Sequence, residues 1–283
     1  MAFPTPETKF AHVTRSHQPD DGAPAEDTRA PEAEPRRFNY DSIPKGYYDE
    51  VLRSSHPVRR LWHLSKFERV LDSLPSREGQ SILDIGCFAG TFLSLAPESR
   101  FSRQLGVDIL ADQIDYANAN YGTRFREFRH IATLSELARL DEVFDCVTLI
   151  EVIEHLSAEE IRILMARVAD LLRPGGKLVL TTPNYASAWP LIEQVVNRVS
   201  EVSYEEQHVT KFTFFDIEKK LAAICPDFEL HFDSVEFKTT THFLTPFLAA
   251  LSFDGARKLS RAVPHERWRL PFGNLVLMVL RRA

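Results

Sequence analysis

Apolar and polar positions change period several times along the chain, and each change marks an element. Between Tyr47 and Leu71 the apolar residues Tyr47, Tyr48, Val51 and Leu52, then Leu61, Trp62, Leu64, Phe67, Val70 and Leu71, recur at three- and four-residue spacing. That spacing predicts two helices with one apolar face each. Beyond them, short aliphatic runs alternate with helical patterns. Ile82, Leu83 and Ile85 form the first run, and Leu105 to Ile109, Arg124 to Ile131 and Val143 to Ile150 follow, with a helix from Asp112 to Asn120 between the second and third. A fifth strand follows the Pro174-Gly175-Gly176 turn, Phe228 to Phe237 alternates as a sixth, and Asn274 to Leu280 supplies a seventh. Between the last two, residues 241–271 read as an insertion with an apolar helix from Phe243 to Phe253. Strands alternating with helices place the chain in the α/β class.

Composition adjusts this picture at the ends. The first 38 residues are rich in Pro, Ala, Asp, Glu and Thr and almost devoid of aliphatic side chains, so a disordered tail is expected there. A helical cap over 39–78 and a main domain over 79–283 complete the expected organisation. With 283 residues, 44% of them hydrophobic, the chain can bury a sizeable core. A net charge of -6 argues against a broad nucleic-acid surface. No apolar run approaches the roughly 20 residues of a membrane span, and MAFPTPETKF lacks the order of a secretion signal. Cys87, Cys146 and Cys225 are odd in number and unclustered, which suits free thiols in a cytoplasmic protein.

Candidate chemistry concentrates where the first strand meets Gly86 and Gly90, in SILDIGCFAGTFL. Glycines at a strand-to-helix bend let the backbone approach a ligand, and free amides at the helix start can face electronegative atoms. Phe88 and Leu93 stand where a dinucleotide fingerprint needs glycines, and no Lys-Ser or Lys-Thr pair follows to make a phosphate loop. Asp108, 24 residues after Asp84 (108 minus 84), ends the second strand, where an acid can accept both hydroxyls of a ribose.

The acid-G-C-x-x-G bend resembles the first motif of class I S-adenosylmethionine (SAM) methyltransferases. F-D-x-V leading into E-V-I-E-H-L (Phe144 to Leu156) and LLRPGGKLVLTTPN (Leu171 to Asn184) resemble two further motifs of that family, in the same order. The resemblance implies a doubly wound, seven-stranded, mostly parallel Rossmann-like sheet with helices on both faces, a terminal antiparallel hairpin and an N-terminal helical cap. It implies SAM as cofactor, with Asp84 at the methionine end, Gly86, Cys87, Ala89 and Gly90 along the bend, and Asp108, Ile109 and Glu151 on the rim. Tyr48, Trp62 and His63 become lid candidates. Phe88 departs from the usual glycine, and His130 stands where many relatives carry an acid or amide for the adenine.

Glu151, Glu154 and His155 fall at i, i+3 and i+4, one face of a helix start beyond the fourth strand, and His208 lies before a helix expected at Thr213. Two carboxylates and two imidazoles suit a divalent metal such as Mg²⁺. This E-x-x-E-H group with a distal His resembles the O-methyltransferases of ubiquinone biosynthesis and the small-RNA 3′-terminal 2′-O-methyltransferases, which act on vicinal diols. The alternative is a metal-free group in which Glu154 and His155 cap the helix and His155 or His208 serves as general base. The expected reaction is O-methylation of a small, lipid-linked or glycan-type acceptor, with Tyr185, Trp189, Tyr204 and Phe212 around its entrance. A terminal ribose of RNA, kept open by the basic stretch Arg257 to Arg269, is one alternative, and a SAM-binding regulatory domain without turnover is another.

Overall fold

Strands form in this chain where consecutive side chains are apolar on both faces, as a sheet covered on two sides requires. The computed structural model describes residues 43–53, 56–199, 208–262 and 271–283. Among them stand β1 (Gln80–Ile85), β2 (Phe101–Asp108), β3 (Arg126–His130), β4 (Phe144–Ile150), β5 (Leu172–Pro183), β6 (Phe232–Thr241) and β7 (Leu275–Arg282). They make one sheet in the order β3-β2-β1-β4-β5-β7-β6, with β1 to β5 parallel and β7 antiparallel to both its neighbours. From β1 the chain steps outward to β3, then returns to the other side of β1 with β4. The reversal opens a crevice at the carboxyl ends of β1 and β4, the usual ligand position in such sheets.

The helices are α1 (Tyr47–Arg53), α2 (Pro57–Ser73), α3 (Thr91–Ser94), α4 (Ala111–Tyr121), α5 (Ala158–Leu171), α6 (Trp189–Val199), α7 (Ile217–Ile224), α8 (Phe228–His231), α9 (Thr245–Leu248) and α10 (Phe253–Ala262). Alternate strand residues feed two cores. Leu83, Leu105, Val147 and Leu149 pack with Ile161, Leu164 and Leu221 of α5 and α7, whereas Ile82, Cys146 and Val179 pack with Val70 and Ile114 of α2 and α4. α1 is tied to α4 because Asp49 accepts hydrogen bonds from the Tyr116 and Tyr121 hydroxyls, the first at 2.7 Å. The cap is thereby fixed over the crevice. None of the helices among the described residues is long and apolar enough to cross a membrane.

Several sequence expectations shift here. Phe228 begins not a strand but the single turn of α8, because Phe228 and Phe232, four apart, bring their rings to 5.4 Å. β6 therefore starts at Phe232, and two bulges interrupt its alternation. β2 begins four residues before Leu105, its first half disguised by Ser102, Arg103 and Gln104, of which Gln104 is buried against Arg126 at 2.8 Å. The apolar helix expected over Phe243 to Phe253 is instead α9 and α10, since Ser252 closes one turn and caps the next through the Gly255 amide. The helix expected at Thr213 starts at Ile217, after Thr213 and Asp216 exchange hydrogen bonds to each other's backbone amides. The expectations for the tail 1–38, Tyr204 and Arg267 to Arg269 lie outside the described residues.

Candidate functional site

The bend after β1 is tighter than a glycine-rich loop, and its amides are spent internally. Gly86 and Cys87 donate to the Val107 carbonyl (2.9 and 3.1 Å), Phe88 donates to Asp108 Oδ2 (2.8 Å), and Gly90 donates to the Cys87 carbonyl (2.9 Å). The expectation of free amides fails at these four positions. Three of them hold left-handed backbone: Gly86 at φ 79, Phe88 at φ 49 and Gly90 at φ 74. A Cβ on Gly86 would sit 2.6 Å from the Val152 side chain, so glycine is the only residue that fits. Phe88 accepts the strain, and its ring meets Tyr48 of the cap edge-on at 4.9 Å, with Tyr48 in turn 5.1 Å from His63. Cys87 and Ala89 are buried, the Cys87 side chain inside the second core.

With the amides occupied, two acids stand at the bend. Asp84, at the end of β1, is 2% exposed and accepts from the Thr148 hydroxyl at 2.6 Å. Burial, with the nearby Asp108 charge adding to it, raises its carboxyl to about 7 against the pull of the Thr148 bond. Asp108 accepts from Phe88 and, at 2.9 Å, from the Leu110 amide. Burial lifts its pKa too, offset by those amides. A carboxylate offers about four lone-pair sites, so Asp108 keeps lone-pair capacity for a further donor beyond its backbone contacts. Ile109 follows it, 49% exposed at the rim, with His130 Nε2 3.1 Å from its carbonyl.

A second group forms beyond β4, built differently from the expected helix face. Ile153–His155 is one turn of 3-10 helix, and Glu151 precedes it in left-handed backbone at φ 55. The two acids of the motif consequently diverge. Glu151 pairs with Lys66 of α2. Although burial alone would raise its carboxyl, the Lys66 charge and hydrogen bond hold it at about 2. Glu154 is fully buried, and neither carboxylate oxygen makes a well-formed hydrogen bond, though the Thr182 hydroxyl is near enough to pull its pKa down against burial. Burial, and then the charge of Glu151, pushes its pKa well above the ordinary range.

Glu154 faces His155 and His208, and one donor atom from each of the three lies within 4.8 Å of the others. Thr210 straps the His208 segment to this turn, its amide donating to the Glu154 carbonyl (3.0 Å) and its hydroxyl to the Leu156 carbonyl (2.6 Å). His208 Nδ1 meets Glu193 Oε1 of α6 and the Tyr185 hydroxyl, both at 2.7 Å. Burial would raise Glu193, but the His208 hydrogen bond and charge bring it below its ordinary value. A carboxylate on one ring nitrogen orients the ring and fixes its tautomer, the arrangement usual around metal-bound histidines. Nothing in the spacing announced Lys66 or Glu193: each is a charge at an inward helix position, and α2 also buries Ser65 and Arg69 beside Lys66.

Aromatic side chains pack beside this group. Trp62 lies 5.8 Å from Trp189, 4.5 Å from His242 and 6.3 Å from Phe247, and Trp189 lies 6.3 Å from His208. The Trp189 Nε1 and the Thr182 hydroxyl are buried without a well-formed hydrogen bond. Phe212, expected at the entrance, is fully buried in the first core, because its carbonyl accepts the Tyr185 amide at 2.9 Å and turns the ring inward.

A family model described as a methyltransferase domain matches residues 56–229. A ubiquinone biosynthesis O-methyltransferase of Bradyrhizobium sp. (strain ORS 278) is 36% identical over 120 residues, 42% of this chain and 46% of that protein. The chain thus spans a little under half the length of this curated relative. Among solved structures, a SAM dependent methyltransferase from Archaeoglobus fulgidus superposes with a TM-score of 0.51 at 19% identity, covering 83% of this chain and 97% of the other. Magnesium protoporphyrin IX methyltransferase from Synechocystis PCC 6803, solved with bound SAH, gives 0.53 at 16% identity over 83% and 93%. These two likenesses are in fold.

Proposed function

This chain belongs to the methyltransferase-domain family, and from that premise we propose that it is a SAM-dependent O-methyltransferase whose acceptor carries two adjacent oxygens. Asp84 and Asp108 hold SAM. A buried acidic pair at the strand ends suits a cationic ligand with a ribose diol, and Asp108 keeps lone-pair capacity for a further donor. Asp108→Ala is expected to weaken SAM binding by about 1–3 kcal/mol, the value of a hydrogen bond to a charged group. Calorimetric titration checks this, and unchanged affinity removes Asp108 from the site.

One observation carries the acceptor reading: the fully buried Glu154 carboxylate, without a well-formed hydrogen bond, converging with His155 and His208. Oxygen and imidazole donors of this kind fit a divalent cation, and Glu154, His155 and His208 would hold it. When bound, such an ion lowers the pKa of the hydroxyls that it contacts. The chain's own task is alignment. Methyl transfer from sulfonium to oxygen is an in-line displacement, and it requires the acceptor oxygen about 3 Å from the methyl carbon. Trp62 and Trp189 pack beside that approach, and Glu193 with Tyr185 orients the His208 ring.

Supporting a small, lipid-linked or glycan hydroxyl over RNA, Arg257 and Arg261 of the basic stretch both pair with Glu68, which offsets part of their charge. The converged trio speaks against a domain without turnover. Elemental analysis of purified protein, before and after chelation, tests the cation: about one equivalent retained, and loss of methyl transfer on chelation, are expected. Activity that survives chelation assigns His208, oriented by Glu193, to proton removal from the acceptor instead.

A further inference from the structure

The Lys66–Glu151 pair is the part of this pocket that the reading above leaves unused. Lys66 lies on the inward face of α2 at 3% exposure, where an ammonium needs a counter-ion, and its Nζ donates to Glu151. His63 of the same helix and His242 after β6 flank the pair, each with a buried Nδ1 that has no partner. Glu151 stands three residues before Glu154, close enough for its charge to be felt there. Yet the donor atoms that converge within 4.8 Å come from Glu154, His155 and His208, without Glu151. The two acids leave one short turn in different directions, and what receives Glu151 is the cap.

We propose that Lys66 is a positioning residue that holds Glu151 out of the cation cluster, so that the chain offers a divalent ion three protein ligands instead of four. The inference rests on the cation reading above. A hard cation with about six coordination positions then keeps more of them for an acceptor with two oxygens. It also joins the cap to the cluster: a movement of α2 that withdraws Lys66 frees a second carboxylate beside Glu154.

Mn²⁺ titration of the full chain, following free ion by electron paramagnetic resonance, tests this with three variants. Lys66→Met is expected to tighten Mn²⁺ binding by about tenfold, since ligand charge count sets affinity at such sites. Adding Glu151→Gln to it should cancel the gain and return the affinity to within about twofold of the parent, because one neutral pair then replaces another. Glu154→Gln should weaken binding by about 10- to 100-fold, the usual scale for losing a metal-site group. If Lys66→Met does not fold, the double variant decides alone. A loss in it comparable to that of Glu154→Gln makes Glu151 a ligand already and overturns the proposal, as does a folded Lys66→Met with parental affinity. Parental affinity in Glu154→Gln instead defeats the cation reading, and this inference with it.

Discussion

His208→Ala is expected to remove methyl transfer, by about 10²- to 10⁴-fold in kcat, while SAM affinity stays within about twofold. The separation follows from where the ring is held. Its supports are Glu193 of α6, Tyr185 after β5 and the Thr210 strap to the turn after β4, none of which belongs to the bend between β1 and β2. Removing the ring takes away a donor to the Glu154 group without disturbing Asp84 or Asp108. It also leaves the buried Glu193 carboxylate without its strongest partner, so a modest stability loss of about 1–3 kcal/mol accompanies the change. Calorimetric titration of SAM beside a turnover assay on a panel of catechols and sugar diols checks both halves. Full turnover in the folded variant would remove His208 from the chemistry.

Binding of SAM is expected to weaken by about tenfold for each pH unit below 7, and to level off above it. The sign comes from Asp84. Its carboxyl is raised to about 7 in the folded chain, first by burial and then by the Asp108 charge, so below that pH it is protonated and neutral. A cationic ligand at its side favours the ionised form and must displace the proton. Binding near pH 6 should therefore release close to one proton, seen as a calorimetric enthalpy that varies with the buffer's ionisation heat. The same shift acts on stability. Between the ordinary carboxyl value of 3.8 and about 7 the folded form retains a proton that the unfolded chain has lost, so this residue's contribution to stability declines as pH rises through that window. Asp84→Asn should flatten both profiles. A pH-independent affinity in the parent protein would place the cationic end of SAM elsewhere.

Legibility in the sequence followed the physics of burial. Strands with apolar residues on both faces, such as Ile82 with Leu83 in β1 and Cys146 with Val147 in β4, announce themselves as short aliphatic runs. The start of β2 does not, because its polar Gln104 is buried by a partner, Arg126, that lies 22 residues away. At the site, Asp84, Asp108, Glu154, His155 and His208 could be picked out by type and spacing. Their partners could not: Lys66 meets Glu151 across 85 residues, and Glu193 meets His208 across 15. Helical spacing placed Glu151 and Glu154 on one face, but the chain turns through left-handed backbone at Glu151, and no periodicity signals that. The amides of the bend were misjudged for a related reason. Phe88 draws the loop close enough to Asp108 for its own N–H to be taken up.

The reversal of strand order between β1 and β4 also divides labour along the chain. Asp84 and Asp108 end β1 and β2 on one side of the switch, whereas Glu154, Tyr185, Glu193, His208 and His242 all come after β4. If the proposed roles hold, divergence in the later half reshapes what is methylated, while Asp84 and Asp108 keep the donor. On that reading a lineage could change its customers without relearning its trade through the stretch after β4, with the Trp62 and Lys66 positions of α2 the exceptions that precede the donor acids.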